Sequence, residues 1–369
     1  MTATACAPQR VSETSDGATK NENPERIALL SQELAGKMDR AVQQIRDLNV
    51  ESRILSFNAQ IEAARSGAAG ATFGVVALAM RELSGATAKV AESVSSETRG
   101  TLGELERISK VLATNVRGTR LSDLALVNID LIDRNLYERS CDCRWWATDT
   151  SLVDALSTRE PEAVQFASHR MGIILNSYTV YFDLVLADRD GNIIANGRPQ
   201  QYSSLGQNCS QSKWFRSAMS TQSGEEFGFQ EVHESTLVSG ERVLVYSAGV
   251  REGGEANGKL LGVLGIVFKW DALAQTIVTN TPLPEGEKLR TRVCICDSTG
   301  FLLADSRGRQ LKESLQFDEL DAMLKTAKHF IIAKIGGRLC CVAHAKSPGF
   351  ETYATGWHSI LIQELETTR

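Results

Sequence analysis

The spacing of apolar residues between positions 25 and 115 restricts the fold of this chain more than any other feature of the sequence. From Glu25 onward, apolar and small residues recur at alternating steps of four and three residues, the spacing of a helix that packs along one side against another helix. The residues that follow this spacing are Leu34, Met38, Ala41, Ile45, Leu48, Ser52, Leu55 and Ala59. Gly67 and Gly70 then interrupt the pattern, and paired glycines permit a tight reversal of the backbone.

A second helical pattern begins at Phe73, after this break. Its further apolar positions are Val76, Met80, Leu83, Val90, Val94, Leu102, Leu105, Ile108 and Leu112. Two long helices joined by a few small residues form an antiparallel hairpin. We therefore predict an α-helical coiled-coil hairpin over residues 25–115, with its turn near residues 67–72.

The two predicted arms differ in length. The first spans about 43 residues, or roughly 65 Å at the rise of an α-helix, whereas the second keeps a helical pattern to around Leu156. The excess must pair with something else, and a second copy of the chain supplies it. We predict a homodimer whose hairpins form a four-helix bundle, which narrows to two helices beyond Val116. Residues 116–160 would then be a connecting long helix, in which replacing Gly118 by Ala would stabilise the helix by about 1 kcal/mol.

Charge and composition exclude several classes of protein. The net charge is −5 and no stretch is dense in Lys or Arg, so no nucleic-acid partner is expected. The longest apolar runs, such as Tyr178–Ala187 and Leu260–Phe268, are about half the roughly 20 residues that a membrane-spanning helix needs, so no integral membrane segment is expected. Residues 1–24 are polar and lack the apolar core of a signal peptide. We expect a disordered tail there, and a cytoplasmic protein whose cysteines are thiols.

The second half of the chain has a different pattern. After Pro161 and a predicted helix over residues 163–177, the apolar period changes to two, which is typical of strands. Two strand-turn-strand units, with turns at Asp188–Gly191 and Asp297–Gly300, each open a series of further predicted strands. We predict a duplicated α/β domain over residues 161–369, with a first module at 161–280 and a second at 285–369.

The segment around the predicted turn carries the most specific motif of the chain. It reads Asn58-Ala-Gln-Ile-Glu62-Ala-Ala-Arg65-Ser-Gly67, then Phe73-Gly-Val-Val-Ala77 and Arg81-Glu-Leu83. It resembles the signalling-tip hairpin of methyl-accepting chemotaxis proteins, whose pattern is N-A-x-x-E-A-A-R-A-G, a short glycine turn, G-F-x-V-V-A and R-x-L. The resemblance implies trimers of receptor dimers, and contact with a chemotaxis histidine kinase and its coupling protein. The residues predicted for these contacts are Phe57, Asn58, Glu62, Arg65, Phe73 and Val75.

Helical spacing places Asn58, Glu62 and Arg65 on one face, where they are expected to form a polar network between neighbouring helices. Three positions depart from the family pattern: Ala68 stands where an acid is usual, Thr72 where Gly is usual, and Ala79 where Glu is usual. These departures leave open an alternative, an interaction module of receptor assemblies that does not control a kinase.

From about Leu121 to the C-terminus the sequence is similar to a double Cache sensor, a PAS-like α/β module of bacterial receptors. The similarity rests on Trp214-Phe215-Arg-Ser-Ala218, Arg242-Val-Leu-Val-Tyr246-Ser-Ala-Gly249, Leu261-Gly-Val-Leu-Gly265-Ile-Val267 and Gly356-Trp357-His358. It implies a small-molecule ligand in a pocket walled by aromatic side chains. The predicted ligand-binding residues are Tyr202, Trp214, Phe215, Phe229, Tyr246 and Asp271, with Arg198 and Lys213 as further polar candidates.

The amino-acid-binding variant of the Cache family has an Arg two positions before the Trp and an Asp in the last strand. Ser212 and Val267 stand at those positions here, so an amino-acid ligand is not expected.

No catalytic, cofactor or metal site is expected. The five histidines have no ligand spacing, and the sequence contains no phosphate-binding glycine loop and no nucleophile elbow. Cys294 and Cys296 point to one face of a predicted strand and could approach Cys340 or Cys341; we expect buried thiols, with a redox or metal role as the alternative. The sequence therefore predicts a cytoplasmic sensory transducer. A metabolite-regulated enzyme is the second alternative.

Overall fold

The structure is a computed structural model that describes residues 24–365, so the predicted N-terminal tail lies outside the described residues, apart from Pro24. The chain divides into two compact units, with the boundary between Arg117 and Gly118. None of the helices between residues 24 and 365 has both the length and the apolar character that crossing a membrane requires.

The first unit contains two antiparallel helices. Helix α1 spans Pro24–Arg65, a short 3-10 turn follows at Gly67–Gly70, and helix α2 spans Ala71–Trp146. The turn depends on its glycines: Gly67 has a φ of +63°, and a Cβ at Gly70 would lie 2.2 Å from the carbonyl oxygen of Ala63. The reversal therefore lies where the sequence predicts it.

The contact between α1 and α2 is made by small and polar side chains. The Oγ of Ser56 donates to the carbonyl of Ala77 at 2.6 Å, and the Nδ2 of Asn49 donates to the carbonyl of Ser84 at 2.8 Å. Small residues let the two backbones approach closely enough for these bonds. The buried residues of the hairpin are Ser31, Val42, Asn49, Ser56, Gly70, Ala77, Ser84, Ala91, Ser95, Leu102 and Ser109.

The predicted seam matches this contact only in part, since the Oγ of Ser52 accepts from the Oγ of Ser84 at 3.0 Å but the three leucines of the seam lie elsewhere. Leu34, Leu48 and Leu55 are 50%, 65% and 62% exposed, because they lie on a side of α1 that faces away from α2. Alternation of four and three residues identifies a helix that packs, but two faces of α1 share that spacing. The face of α1 that packs on α2 is the one whose Ser and Asn side chains form hydrogen bonds to α2.

The second unit begins within α2. Leu121, Ala125, Ile129, Ile132 and Leu136 are all fully buried in one core with side chains from two β-sheets. The expectation that α2 beyond Val116 packs only on a second copy of the chain is therefore wrong, because the sheets of the same chain cover it.

Two shorter helices follow α2. Helix α2 ends at Trp146 rather than near Leu156, and Asp149 starts a new helix by accepting a hydrogen bond from the backbone N–H of Ser151 at 2.9 Å. Helix α3 spans Thr150–Thr158 and helix α4 spans Pro161–Ser177.

The rest of the second unit consists of two five-stranded antiparallel sheets. The first contains β1 Tyr181–Asp188, β2 Ile193–Asn196, β3 Gly228–Ser235, β4 Glu241–Arg251 and β5 Leu260–Lys269, in the order β2-β1-β5-β4-β3. The second contains β6 Thr291–Cys296, β7 Leu302–Asp305, β8 Lys328–Ile335, β9 Arg338–Lys346 and β10 His358–Glu364, in the order β7-β6-β10-β9-β8. The remaining helices are α5 Lys213–Met219, α6 Trp270–Asn280, α7 Glu285–Lys288 and α8 Leu320–Leu324. The same strand order thus occurs twice.

Each sheet has two buried faces. One face of each sheet contributes to the core that contains α2, through residues such as Leu264 in the first sheet and Leu361 in the second. The other face of the first sheet is covered by α5. The other face of the second sheet is covered by α8 and the segment before it. Each sheet therefore has one face in the core that contains α2 and one face covered by α5 or α8.

Candidate ligand-binding site

The face of the first sheet that α5 covers, here called the α5-covered face, holds three of the predicted ligand-binding residues. Trp214 and Phe215 are 1% and 4% exposed, and Tyr202, in the loop before α5, is 9% exposed. They pack together with branched side chains of the sheet. Those side chains are Val185, Val243, Val245, Val263 and Val267.

Trp214 fills the space between α5 and the sheet. Its indole lies against Gly265, where a Cβ would be 2.9 Å from Cζ3. Its backbone is fixed as well, since its N–H donates to Oε1 of Gln230 at 3.2 Å and its carbonyl accepts from the Oγ of Ser247 at 2.8 Å. A ligand at this face would therefore contact the indole or displace it.

A buried polar cluster lies on the same face. Asp183, 1% exposed, accepts hydrogen bonds from Nδ2 of Asn196 at 2.8 Å and from the backbone N–H groups of Gly197 and Arg198 at 3.1 and 3.0 Å. Burial outweighs these bonds and raises the pKa of Asp183 to about 6. The Oδ1 of Asn196 and the Oγ of Ser204 are buried without a protein partner. Each of these oxygens has lone pairs available for a hydrogen bond from water or from a ligand.

The sequence reasoning missed this cluster. Its signal was available, because Asp183 is the single acidic residue within the apolar run from Tyr181 to Ala187. A carboxylate in the middle of a buried strand requires partners.

Phe229 and Tyr246 do not belong to the α5-covered face, and their assignment to one wall with Trp214 is wrong. Successive side chains of a strand alternate between the faces of a sheet, and Val243 and Val245 already point toward α5. Tyr246 therefore points to the opposite face, where its ring centroid lies 5.1 Å from that of Phe229.

The three polar candidates have partners within the protein. Asp271, in the first turn of α6, forms an ion pair with Arg242. The guanidinium of Arg198 donates to the carbonyls of Leu175, Tyr181 and Phe182. Lys213 pairs with Glu231 on the surface. Each of the three side chains is therefore already held by contacts within the protein.

The residues predicted for kinase and receptor contacts lie on the surface of the hairpin next to its turn. Phe57, Phe73 and Val75 are 60%, 72% and 70% exposed. Glu62 and Arg65 form an exposed ion pair at 2.9 Å within α1, and the predicted network member Asn58 is exposed beside them. The turn thus presents aromatic and charged side chains that another protein can contact.

The thiols of the second sheet are buried. Cys294, Cys296 and Cys340 share one cluster, whereas Cys341 faces the other side of the sheet. Burial raises the pKa of Cys294 and Cys296, which disfavours the reactive thiolate. Within residues 24–365 no group of three or more His, Cys, Asp or Glu side chains is placed to hold a metal ion.

The two-sheet domain shares its fold with sensory domains. A chemoreceptor ligand-binding domain from Campylobacter jejuni, Tlp3 in complex with 4-methylisoleucine, is similar with a TM-score of 0.52 and 14% identity, covering 68% of this chain and 92% of that one. The same domain with isoleucine bound gives a TM-score of 0.52 and 16% identity, covering 68% and 93%. The sensor domain of the V. cholerae histidine kinase DctB gives 0.50 and 14%, covering 69% and 98%.

The likeness to these sensory domains is not accompanied by a match in sequence. No known family profile matches the sequence, and no curated protein matches it. The likeness is therefore one of fold, and it corresponds to the Cache-like architecture that the sequence predicts.

Proposed function

We propose that this protein is a chemoreceptor-like signal transducer, which senses a small molecule through its two-sheet domain and relays occupancy to a chemotaxis-type histidine kinase complex. The observation that carries the proposal is the presence in one chain of the motif Asn58–Gly67 at a helical turn and of a sensor-domain fold. Helix α2 is continuous from Ala71, beside the turn, to Trp146, in the sensor core. A displacement of this helix by ligand is therefore a direct route for the signal.

The proposal includes a homodimer formed by the hairpins. Leu48 and Leu55 on α1 are 65% and 62% exposed, and Val76, Leu83 and Val90 on α2 are 54%, 67% and 62% exposed. Within each helix these residues are seven positions apart, the repeat with which helices of a bundle meet. A second copy of the hairpin would cover them and complete four helices. Trimers of such dimers, as in the chemoreceptor resemblance, are the next level of the same proposal.

The proposed ligand is a small molecule bound at the α5-covered face. Support comes from the fold likeness, from the buried unpartnered oxygen of Asn196, whose Nδ2 donates to Asp183, and from that of Ser204 in the loop that follows β2. A thermal-shift screen of small metabolites tests it on the wild-type chain and on Ser204→Ala, which removes one acceptor. A ligand whose shift is the same in both proteins binds elsewhere.

The relay is tested by capture of the chemotaxis kinase and coupling protein of the same organism, followed by a kinase assay. Glu62→Ala and Arg65→Ala should each lower capture and kinase control. Their ion pair is exposed and such pairs contribute about 0.2–1 kcal/mol, so both variants should stay folded. The matched control is Lys37→Ala, which removes the equally exposed pair with Glu33 at 2.7 Å elsewhere on α1.

Equal capture by the wild-type chain and both tip variants would exclude this hairpin from kinase contact. Entry into receptor clusters without any change in kinase activity would favour the alternative, an assembly module without signalling. The departures from the family pattern at Ala68, Thr72 and Ala79 support this alternative. A cytoplasmic location is part of the proposal, since the tip must share a compartment with the kinase.

A further inference from the structure

Arg251, at the end of β4, is a buried cation without an acidic partner. Arg251 is only 7% exposed. Its guanidinium donates to the carbonyl of Gly258 at 3.1 Å and to the carbonyl and Oγ of Thr221 at 2.8 and 3.5 Å. No ion pair involves it among the residues that the structure describes, and its Nε is buried without an acceptor. A buried charge in this state is costly unless an anion compensates it.

Arg144, in the last turn of α2, brings a second cation to the same place. Its Nε donates to the carbonyl of Ser140 at 2.9 Å and its Nη1 to the carbonyl of Glu225 at 3.0 Å. Its remaining contacts are the Sγ of Cys141 and the ring of Phe227. Within the described part of the chain this arginine has no carboxylate partner either. Among the described residues, both guanidinium groups therefore donate hydrogen bonds only to neutral acceptors.

The two arginines line a cavity of about 110 Å³. A cavity needs roughly 10–15 Å³ to hold one water, so this one has room for a molecule of a few heavy atoms. Glycines shape its wall: a Cβ at Gly249 would stand 3.8 Å from the Nε of Arg251, and a Cβ at Gly254 would lie 2.8 Å from the carbonyl of Thr148.

Glu225 and Glu255 also line the cavity, but both are exposed and neither forms an ion pair with Arg144 or Arg251. Their negative charges at the opening offset part of the positive charge inside, and this disfavours a ligand with several charges. The combination of a small volume, two guanidinium groups and two flanking acids fits a single negative charge shared by two oxygens.

We propose that this cavity is a binding site for a small carboxylate of the size of acetate. The carboxylate would accept hydrogen bonds from N–H groups of the two guanidinium ions that the protein leaves unused, since each guanidinium carries five donors. The site lies at the end of β4 and does not depend on the proposed signalling role.

The test compares sodium acetate with sodium gluconate, a carboxylate too large for the cavity, at equal ionic strength on the full chain. Acetate should raise the melting temperature saturably and give a binding isotherm in calorimetry, whereas gluconate should do neither. Arg251→Gln should weaken acetate binding at least tenfold. The control Arg159→Gln, which removes an exposed arginine paired with Asp188, should leave it unchanged.

Arg144→Gln provides a second variant if Arg251→Gln does not fold, and it should also weaken acetate binding, by at least threefold. Equal effects of acetate and gluconate on the wild-type chain would overturn the proposal. So would unchanged acetate affinity in a folded variant of either arginine.

Discussion

The phenolic oxygen of Tyr246 lies 2.5 Å from that of Tyr353. Tyr246 belongs to β4 in the first module, and Tyr353 belongs to the loop between β9 and β10 in the second, so this hydrogen bond joins the two modules. The same loop is held by Asp133 of α2, which accepts from the Oγ of Ser347 at 2.6 Å and from the backbone N–H of Gly349 at 2.8 Å. A connected set of hydrogen bonds therefore runs from the first sheet to α2.

Removal of either hydroxyl should destabilise the two-sheet domain, because each leaves the other buried without its partner. Tyr246→Phe and Tyr353→Phe should each lower the free energy of unfolding by about 1–2 kcal/mol. The double variant should lose less than the sum, since the partner left behind is also removed. Urea denaturation measures all three, with Tyr202→Phe as a control whose hydroxyl is bonded only to the neighbouring Gln201. Strictly additive losses would mean that the two hydroxyls do not interact.

The carboxylate of Asp133 should contribute more to the free energy of unfolding than that of Asp130, one turn earlier in α2. It is fully buried and also accepts from the N–H and Oγ of Thr355 at 3.3 and 2.8 Å. Asp133→Asn puts an NH₂ group against one or more of these donors and should cost about 2–4 kcal/mol of unfolding free energy. Asp130→Asn breaks only a surface pair with Arg134 and should cost less than about 1 kcal/mol. Similar losses in the two variants would show that the loop is not held by Asp133.

Most of the strands could be predicted from the sequence, since apolar runs of period two are bounded by glycine turns. β10 at His358–Glu364 is one of the strands predicted to follow the turn at Asp297–Gly300. Helix α6 was missed because it follows β5 without any intervening turn residue, although Trp270, Ala274 and Val278 recur every four residues and are buried. Local pattern is enough for an element whose ends are marked by turns, and it fails where two elements join directly.

The candidate site was predictable only in part. Resemblance identified the segments of Trp214 and Tyr246, but it did not say which face of the sheet each side chain occupies. Strand alternation places Tyr246 and Val245 on opposite faces of the sheet. Which of these faces α5 covers depends on a contact between segments distant in sequence, so the sequence pattern does not give it. The hairpin seam failed for a similar reason, because the spacing of Leu48 and the spacing of Asn49 are equally helical. Only hydrogen bonding across the pair decides between them.

Stability should fall on acidification because of a buried histidine pair. His344 and His358 are stacked in the second sheet, with Nε2 of His344 2.9 Å from Nδ1 of His358. Burial lowers the pKa of each from 6.5 to about 4. Between these two pKa values the unfolded chain binds more protons than the folded one. The free energy of unfolding therefore decreases as the pH is lowered, by up to roughly 1.4 kcal/mol per pH unit for each histidine.

The measurement compares free energies of unfolding at pH 7 and pH 5. Replacing both His344 and His358 by Gln should reduce the difference between the two pH values, whereas replacing the exposed His169 should not. Asp183 acts in the opposite sense, because its pKa is raised to about 6 and its contribution is lost as the pH rises. Asp183 is present in the wild-type chain and in the histidine variants alike, so its contribution cancels when their pH dependences are compared. An unchanged difference in the double variant would rule out the pair as the source.

The last prediction reverses what helix propensity alone suggests for Gly118. Ala is favoured over Gly inside a helix by about 1 kcal/mol, so Gly118→Ala would stabilise an isolated α2. In the folded protein a Cβ at this position would lie 2.2 Å from Cδ2 of Phe330 on β8, so the ring would have to move. We expect Gly118→Ala to cost about 1–3 kcal/mol.

Gly103→Ala is the matched control, because nothing lies within 4 Å of a Cβ there and the same helix should gain from the substitution. Phe330→Leu should rescue Gly118→Ala, since a smaller side chain opens space for the methyl group. Urea denaturation of the three single variants and of the Gly118→Ala, Phe330→Leu double variant provides the comparison. A stabilised Gly118→Ala protein, or a double variant no better than the sum of its parts, would mean that α2 and β8 do not pack as described. Gly118 is the first residue of the second unit, and its contact with Phe330 ties α2 to the second sheet at that point.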